Sequence, residues 1–327
     1  MTKKANFGDR PKRLQQINAL FETALAPLLE FWHLTALDVG ARDGFTQDLA
    51  PIARCVDAIG FEPDADECAR LNTAIETRPV PWRSLRYLPT AIGEECRDAT
   101  LHLCTRSGCT SLLEPDIETA RLFSRADYYA PLGELSLQLQ SLDDLAELHE
   151  FCEVRHLKLD VQGYEEAVIA GAKRLLSQQI VAVRSEVSFL PLYKGQPLFR
   201  DIDAALGQLG FAPMLLLELH EWRRLTKCKL PKLANGALPW SRGQMVHGDV
   251  LFMKSPEHIM KHHPEPARAL VDLALIALCF GCIDHAFVAL SIPATMNLIA
   301  IKAGIDPLGA CAEISQIIAT DEDWVGA

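Results

Sequence analysis

The sequence lacks any apolar run of the roughly 20 residues that a membrane helix needs. Its most apolar stretch, Leu270 to Ile283, is shorter and is interrupted by Asp272. The opening Met1-Thr-Lys-Lys-Ala-Asn is basic but leads into no apolar segment of signal length. These absences predict a cytoplasmic protein without a membrane span. Basic charge is also scarce: 32 Lys and Arg face 43 Asp and Glu, a formal net charge of −11. Nucleic-acid backbones call for a basic surface, so a nucleic-acid partner is disfavoured. The ten cysteines follow no framework spacing and predict reduced thiols. Cys279-Phe-Gly-Cys282 is a lone pair; zinc would need two further ligands at suitable spacing.

What remains is an ordinary folding composition. Of 327 residues, 49% are hydrophobic and 23% charged. That excludes a disordered chain and allows about two domains with a full core. Apolar spacing predicts a helix over 11–33, with Pro27 as a kink. Strands are predicted at Leu34 to Gly40, Ala58 to Phe61, Leu85 to Ile92, Thr100 to Cys104 and Leu135 to Gln140. Further strands follow at His156 to Asp160, Ile180 to Val187, Ala212 to Leu219 and Asp249 to Met253. Helices alternate with them at 47–53, 64–75, 142–150, 165–177 and 198–209, with Asp143 as a cap near 144. The alternation predicts an α/β fold: a Rossmann-like, mostly parallel sheet with helices on both faces. We divide the chain into an N-terminal extension (1–33), an α/β domain (34–254) and a helical appendage (255–327), the last with helices near 267–280, 283–301 and 308–319.

The strongest local signal is Leu37-Asp-Val-Gly-Ala-Arg-Asp-Gly44, a strand ending in an acid and then a glycine-spaced turn. Such a turn lets a ligand approach the backbone closely. One βα unit further on, Gly60-Phe-Glu-Pro63 places Glu62 where acids hold ribose hydroxyls. A dinucleotide site would want G-x-G-x-x-G, but only Gly40 and Gly44 are present, and Asp43 would repel phosphate. S-adenosylmethionine has no phosphate and carries cationic groups that Asp38 and Asp43 suit.

These motifs resemble the FkbM-type methyltransferases, within the class I S-adenosylmethionine-dependent fold. The resemblance also rests on Ala91-Ile-Gly93, Thr110-Ser-Leu112, Ser141-Leu-Asp-Asp144, Leu157-Lys-Leu-Asp-Val-Gln-Gly-Tyr-Glu165 and Gly171-Ala172. Ser185-Glu-Val-Ser-Phe189 and Leu192-Tyr-Lys-Gly-Gln-Pro-Leu-Phe199 complete it. It covers about two thirds of the chain. It implies a seven-stranded sheet with the last strand antiparallel, and O-methylation of a sugar, glycan or natural-product hydroxyl. It further implies that Asp38, Gly40, Ala41 and Gly44 hold the methionyl part, Glu62 the ribose, and Ala91 and Ile92 the adenine.

Lys158 and Asp160, two apart, share one strand face, and Glu186 ends the next strand. A carboxylate there can take an acceptor's proton while a lysine steadies the developing alkoxide. In a second reading Asp160 and Glu186 bind Mg²⁺. Glu165 at a helix start reads as a capping acid. Tyr193, Gln196, Trp240, Gln244 and His247 are candidate substrate contacts, with His247 as an alternative base. The last three lie in Glu221 to His247, a lid candidate whose aromatics and arginines suit a carbohydrate or phosphorylated sugar. Two other functions remain open: a non-catalytic cofactor-binding scaffold and an RNA ribose 2′-O-methyltransferase.

Overall fold

The computed structural model describes residues 12–225 and 242–319. Its first strand, β1 (Leu34–Val39), is buried along its whole length, as a near-continuous apolar run in a covered parallel sheet should be. Nine more strands follow: β2 (Val56–Phe61), β3 (Ser84–Leu88), β4 (Ala91–Ile92), β5 (Arg97–Cys104), β6 (Pro131–Gln140), β7 (Val154–Leu159), β8 (Ala182–Ser188), β9 (Phe211–Trp222) and β10 (Gln244–Lys254). Seven of them form one sheet in the order β3-β2-β1-β7-β8-β10-β9. The β1, β2, β3, β7 and β8 pairings are parallel, and β10 runs antiparallel to both of its neighbours. The seven-stranded α/β expectation therefore holds, with β10 inserted next to the edge. A separate three-stranded sheet, β4-β6-β5, stands beside it.

Alternation along the strands divides the core between the two faces. Leu37, Val39, Leu157, Leu159, Val183 and Phe252 pack with the helices at Leu142–Leu148, Glu165–Ala170, Lys173–Gln178 and Phe199–Gly207. On the other face, Ala36, Ala182, Leu251 and Met253 pack with Leu20, Leu28, Trp32 and the helix Pro266–Cys279. That helix is buried continuously from Ala269 to Cys279. A helix apolar all round belongs inside a protein, and this one fills a face where the β1–β2 connection supplies only the 3₁₀ segment Ala50–Cys55. The helical tail and the N-terminal segment thus share a core with the sheet. Among the described residues no single helix is long and apolar enough to cross a membrane.

Several local expectations are corrected. The described part of 11–33 is not one helix but two 3₁₀ turns, Lys12–Gln15 and Ala19–Glu22, and one α-turn, Ala26–Leu29. Asn18 sits at φ 60 and its N–H bonds the Ala50 carbonyl, so packing against the 50–55 turn outweighs helical periodicity. The expected third strand splits at Pro89, which has no N–H for a ladder. Helix 165–177 is broken at Gly171, where a Cβ would lie 2.1 Å from the Gly93 carbonyl oxygen. Helix 283–301 is two helices, Ile283–Ser291 and Pro293–Ala303, bent by 86°. Pro293 cannot donate the next hydrogen bond and holds Ile292 extended. Ser141, rather than Asp143, caps Leu142–Leu148; Asp143 caps the neighbouring helix by accepting from the Arg174 and Leu175 N–H groups.

Candidate active site

The ends of β1, β7 and β8 and the start of β10 meet at the carboxyl edge of the sheet. Ladder register explains the convergence. Asp38 pairs with Lys158, and Glu186 with Asp249, so each pair shares a face. Asp38 is buried, and its Oδ2 accepts from the Thr46 N–H at 2.8 Å, tying the strand end to the glycine turn. Its Oδ1 lies 3.2 Å from Lys158 Nζ. Lys158 Nζ also lies 3.3 Å from Asp160 Oδ2 and 3.4 Å from the Gly40 carbonyl oxygen. Burial works against the ammonium, but the Asp38 and Asp160 carboxylates hold Lys158 above its ordinary value. Burial pushes Asp38 upward, and Lys158 pulls it back.

The turn needs its glycine at position 40. Its φ is +89, and a Cβ would lie 2.0 Å from the Asp160 carbonyl oxygen. The Gly40 and Ala41 N–H groups both bond the Phe61 carbonyl, and Gly44 closes the turn by donating to Ala41. Glu62, at the end of β2, is buried, and burial raises its carboxyl above the usual range. Its Oε1 accepts from the Asp64 N–H at 2.9 Å. Asp64 in turn caps the helix Ala65–Thr77. The second Glu62 oxygen has no hydrogen-bond partner among the described residues. Ala91 and Ile92 are buried and form β4, which pairs with β6.

After β7 the chain turns sharply. Gln162 adopts φ 55 and Gly163 φ 97. A non-glycine residue in this region stores about 1–3 kcal/mol of strain that its surroundings must hold. Ser111 Oγ donates to the Gln162 carbonyl at 2.7 Å, and Glu165 Oε1 accepts from the Val161 and Gly163 N–H groups. Glu165 therefore buttresses the turn instead of capping a helix. Burial, with Glu186 adding repulsion, pushes its carboxyl up to about 8. The Gln162 side chain bridges the site: Nε2 donates to Asp160 Oδ1 at 2.8 Å and to Glu186 Oε2 at 3.0 Å. Its Oε1 lies 3.3 Å from the Tyr193 hydroxyl oxygen.

Glu186 is held well above its ordinary value by burial and by the Asp160 and Asp249 charges. Its Oε1 lies 3.0 Å from His247 Nδ1. Burial keeps His247 below its ordinary value, so the ring favours its neutral form. It stacks on His220 at 4.4 Å and meets Trp222 edge-on at 5.9 Å. Side-chain exposure separates the cluster: Asp160 is 38% exposed, against 12% for Lys158 and 14% for Glu186.

Asp38, Lys158, Asp160, Glu186 and His247 thus come together beside Gly40. Tyr193 and Gln196 face inward. Tyr193 donates to the Cys109 carbonyl, while Gln196 accepts from the Leu192 and Tyr193 N–H groups and donates to Ser188. Gln244 begins β10 opposite Trp222 and is exposed. Trp240 lies outside the described residues. Gln162 received no individual role from strand alternation, because alternation ends where the turn begins; the Asp-Val-Gln-Gly string was the available signal. Beneath the site, Arg184 is bound by Asp48 and Asp249. Magnesium at Asp160 and Glu186 finds no support. The Gln162 amide already donates to both carboxylates, and no metal-holding group of three or more His, Cys, Asp or Glu side chains occurs among the described residues.

Known proteins supply an independent comparison. The sequence pattern of the methyltransferase FkbM domain matches residues 38–213. No curated protein matches the sequence. Among solved structures, a methyltransferase FkbM from Methylobacillus flagellatus is 11% identical, with a TM-score of 0.37. That alignment covers 68% of this chain but only 43% of the other. The magnesium protoporphyrin IX methyltransferase of Synechocystis, solved with bound SAM, is 12% identical over 77% of this chain and 86% of its own, with a TM-score of 0.33. A putative RNA methyltransferase from Pyrococcus horikoshii is 13% identical over 77% and 93% of the two chains, at a TM-score of 0.31. The sequence match extends over more than half of the 327 residues and begins at the acid of the glycine turn; the chain belongs to the FkbM methyltransferase domain family.

Proposed function

We propose that this protein transfers the methyl group of S-adenosylmethionine to a hydroxyl of a sugar, glycan or natural product, with Asp160 as the base. The observation that carries this reading is the exposed Asp160 carboxylate, tied to Lys158 beside the glycine turn. Residues 34–254 carry the reaction, and the described parts of the N-terminal segment and helical tail, 12–33 and 255–319, pack on the far face of their sheet. When bound, S-adenosylmethionine supplies an electrophilic methyl on a cationic sulfur. Glu62 holds the ribose through its unspent oxygen, Ala91 and Ile92 line the adenine side, and the turn from Asp38 through Gly44 receives the methionyl end.

An alcohol is a poor nucleophile at neutral pH. Asp160 accepts its proton as the new oxygen–carbon bond forms, and the carbon–sulfur bond breaks to leave S-adenosylhomocysteine. Lys158 stabilises negative charge at the oxygen, and Gln162 fixes the direction of Asp160. A specific observation favours His247 as a second candidate base. Its Nδ1 is oriented by Glu186, which leaves Nε2 without a hydrogen-bond partner among the described residues.

Calorimetric titration with S-adenosylhomocysteine, beside NAD, tests the cofactor. We expect saturable binding of the homocysteine compound alone, weakened at least tenfold in Glu62→Ala. Equal affinity in the variant, or preference for NAD, overturns the reading. Labelled methyl transfer into cell glycans then weighs the second base: His247→Gln abolishes transfer if the imidazole takes the proton and leaves it largely intact if Asp160 does.

A further inference from the structure

A set of arginines stands at the rim of this site with no acid among the described residues to match it. Tyr128 carries two guanidinium groups, those of Arg106 and Arg125, each 5.0 Å from its ring centroid. Arg125 also lies 5.3 Å from the Trp222 ring. Arg224 lies 5.8 Å from Phe123, which packs edge-on against Trp222. Several arginines elsewhere meet carboxylates, Arg54 with Glu30, Arg70 with Glu67, Arg83 with Asp57 and Arg174 with Glu147, while Arg86 lies singly over Phe151 and Arg97 donates to the Tyr164 hydroxyl; the rim differs in gathering its arginines on shared rings. Among the described residues, Arg106, Arg125 and Arg224 have no carboxylate within 4.0 Å. Next to Arg224, Arg223 keeps a buried Nη2 with no hydrogen-bond partner among the described residues.

Two aromatic paths join this rim to the reacting groups. Trp222 stands between Arg125 and His247. Tyr129, which follows Tyr128, packs edge-on to Tyr193 at 5.7 Å, and the Tyr193 hydroxyl reaches Gln162. A guanidinium stacked on an aromatic ring spends only its flat face. Its in-plane N–H donors remain free, and their fork matches two oxygens of a phosphate. Aromatic edges beside them suit a sugar or a base.

We infer that Arg106 and Arg125, stacked on Tyr128 and Trp222, bind a phosphate or diphosphate ester carried by the methyl acceptor. The acceptor class is then a sugar phosphate or a nucleoside-diphosphate sugar, with its hydroxyl directed to Asp160. This rests on the methyltransferase reading above.

The test uses inorganic pyrophosphate as probe, titrated into the full chain. The double variant Arg106→Met/Arg125→Met keeps the apolar stacking and removes the donors; Arg54→Met is the control. We expect the double variant to bind at least tenfold more weakly and the control to match the unaltered protein. No binding by the unaltered protein, or equal binding by all three, overturns the inference. A short oligouridylate that binds more tightly than pyrophosphate and is released between about 50 and 200 mM salt would also overturn it, in favour of an RNA backbone. Titrating S-adenosylhomocysteine into the same samples separates the two readings. Unchanged affinity in the double variant locates the loss at the rim. Pyrophosphate binding without any cofactor binding defeats the methyltransferase reading and leaves the anion site standing.

Discussion

Strand β7 carries two buried charge clusters, one near each end, and they are built differently. Near its start, Arg155 is buried and bonds Asp272 and Glu153. Arg268 bonds Glu153 as well, and the Trp32 indole N–H donates to Asp272 at 2.6 Å. Two guanidinium groups meet two carboxylates, and the donors left over find carbonyl oxygens. At the other end, Lys158 lies between Asp38 and Asp160, and the Gln162 amide bridges Asp160 to Glu186. The first cluster is balanced, and its Arg155–Asp272 pair is sealed. The second has an excess of acid, and its Asp160 carboxylate faces solvent. Matched charge fastens the tail helix and the N-terminal segment to the sheet. Crowded like charge costs stability and shifts proton affinities.

That contrast breaks most visibly with Asp160→Asn. We expect methyl transfer to fall about 10²–10⁴-fold. The urea midpoint should hold or rise, since a like charge beside Glu186 is removed. A variant that loses stability and keeps its activity would make the second cluster structural like the first. Asp272→Ala should behave in the opposite way. It strips Arg155 of a partner in a sealed place, so urea denaturation should register a loss of about 3–5 kcal/mol. S-adenosylhomocysteine affinity of the folded protein should stay unchanged; a large loss of affinity would mean that the far cluster sets the site's geometry.

The smallest effect sharpens the comparison through pH. Glu165 lies next to the crowded cluster, and its carboxyl is pushed up to about 8 in the folded protein, from an ordinary 4.5. The folded state therefore holds a proton that the unfolded chain has released. The stability this contributes is fully present below about pH 4.5 and is lost as pH rises through about 8. Glu165→Gln keeps a carbonyl oxygen for the Val161 and Gly163 N–H groups. Urea midpoints across that range should decline less steeply with pH in the variant. An unchanged slope would assign the proton to another group.

Much of the arrangement was legible in the residues. Strand–helix alternation gave the sheet, and the glycine turn and Glu62 fall at its carboxyl edge, as their strand-end positions predict. Both rest on local chemistry: an apolar run needs burial on both faces, and Gly40 needs a backbone that other residues rarely adopt. The errors fall where a neighbour outweighed local preference. The 11–33 periodicity is real, yet Asn18 leaves the helix to meet Ala50. Glu165 sits at a helix start, yet its carboxylate turns back to the preceding loop. The helical tail is present as expected, while the burial of its Pro266–Cys279 helix in the core beneath the sheet was not legible from its period.

The sequence by itself determined the order of strands and helices, the family, and the acids and lysine available for chemistry, because these follow from period, turn geometry and residue type. Only the tertiary structure decided which charges are sealed and which are presented. Arg155 and Lys158 lie three residues apart on one strand and differ in what the rest of the chain brings to them. One receives Asp272 from a helix more than a hundred residues away; the other receives Asp38 across the ladder and Asp160 from the turn. Proton affinity and exposure are set by those arrivals, since both depend on distance and burial, which no local pattern encodes.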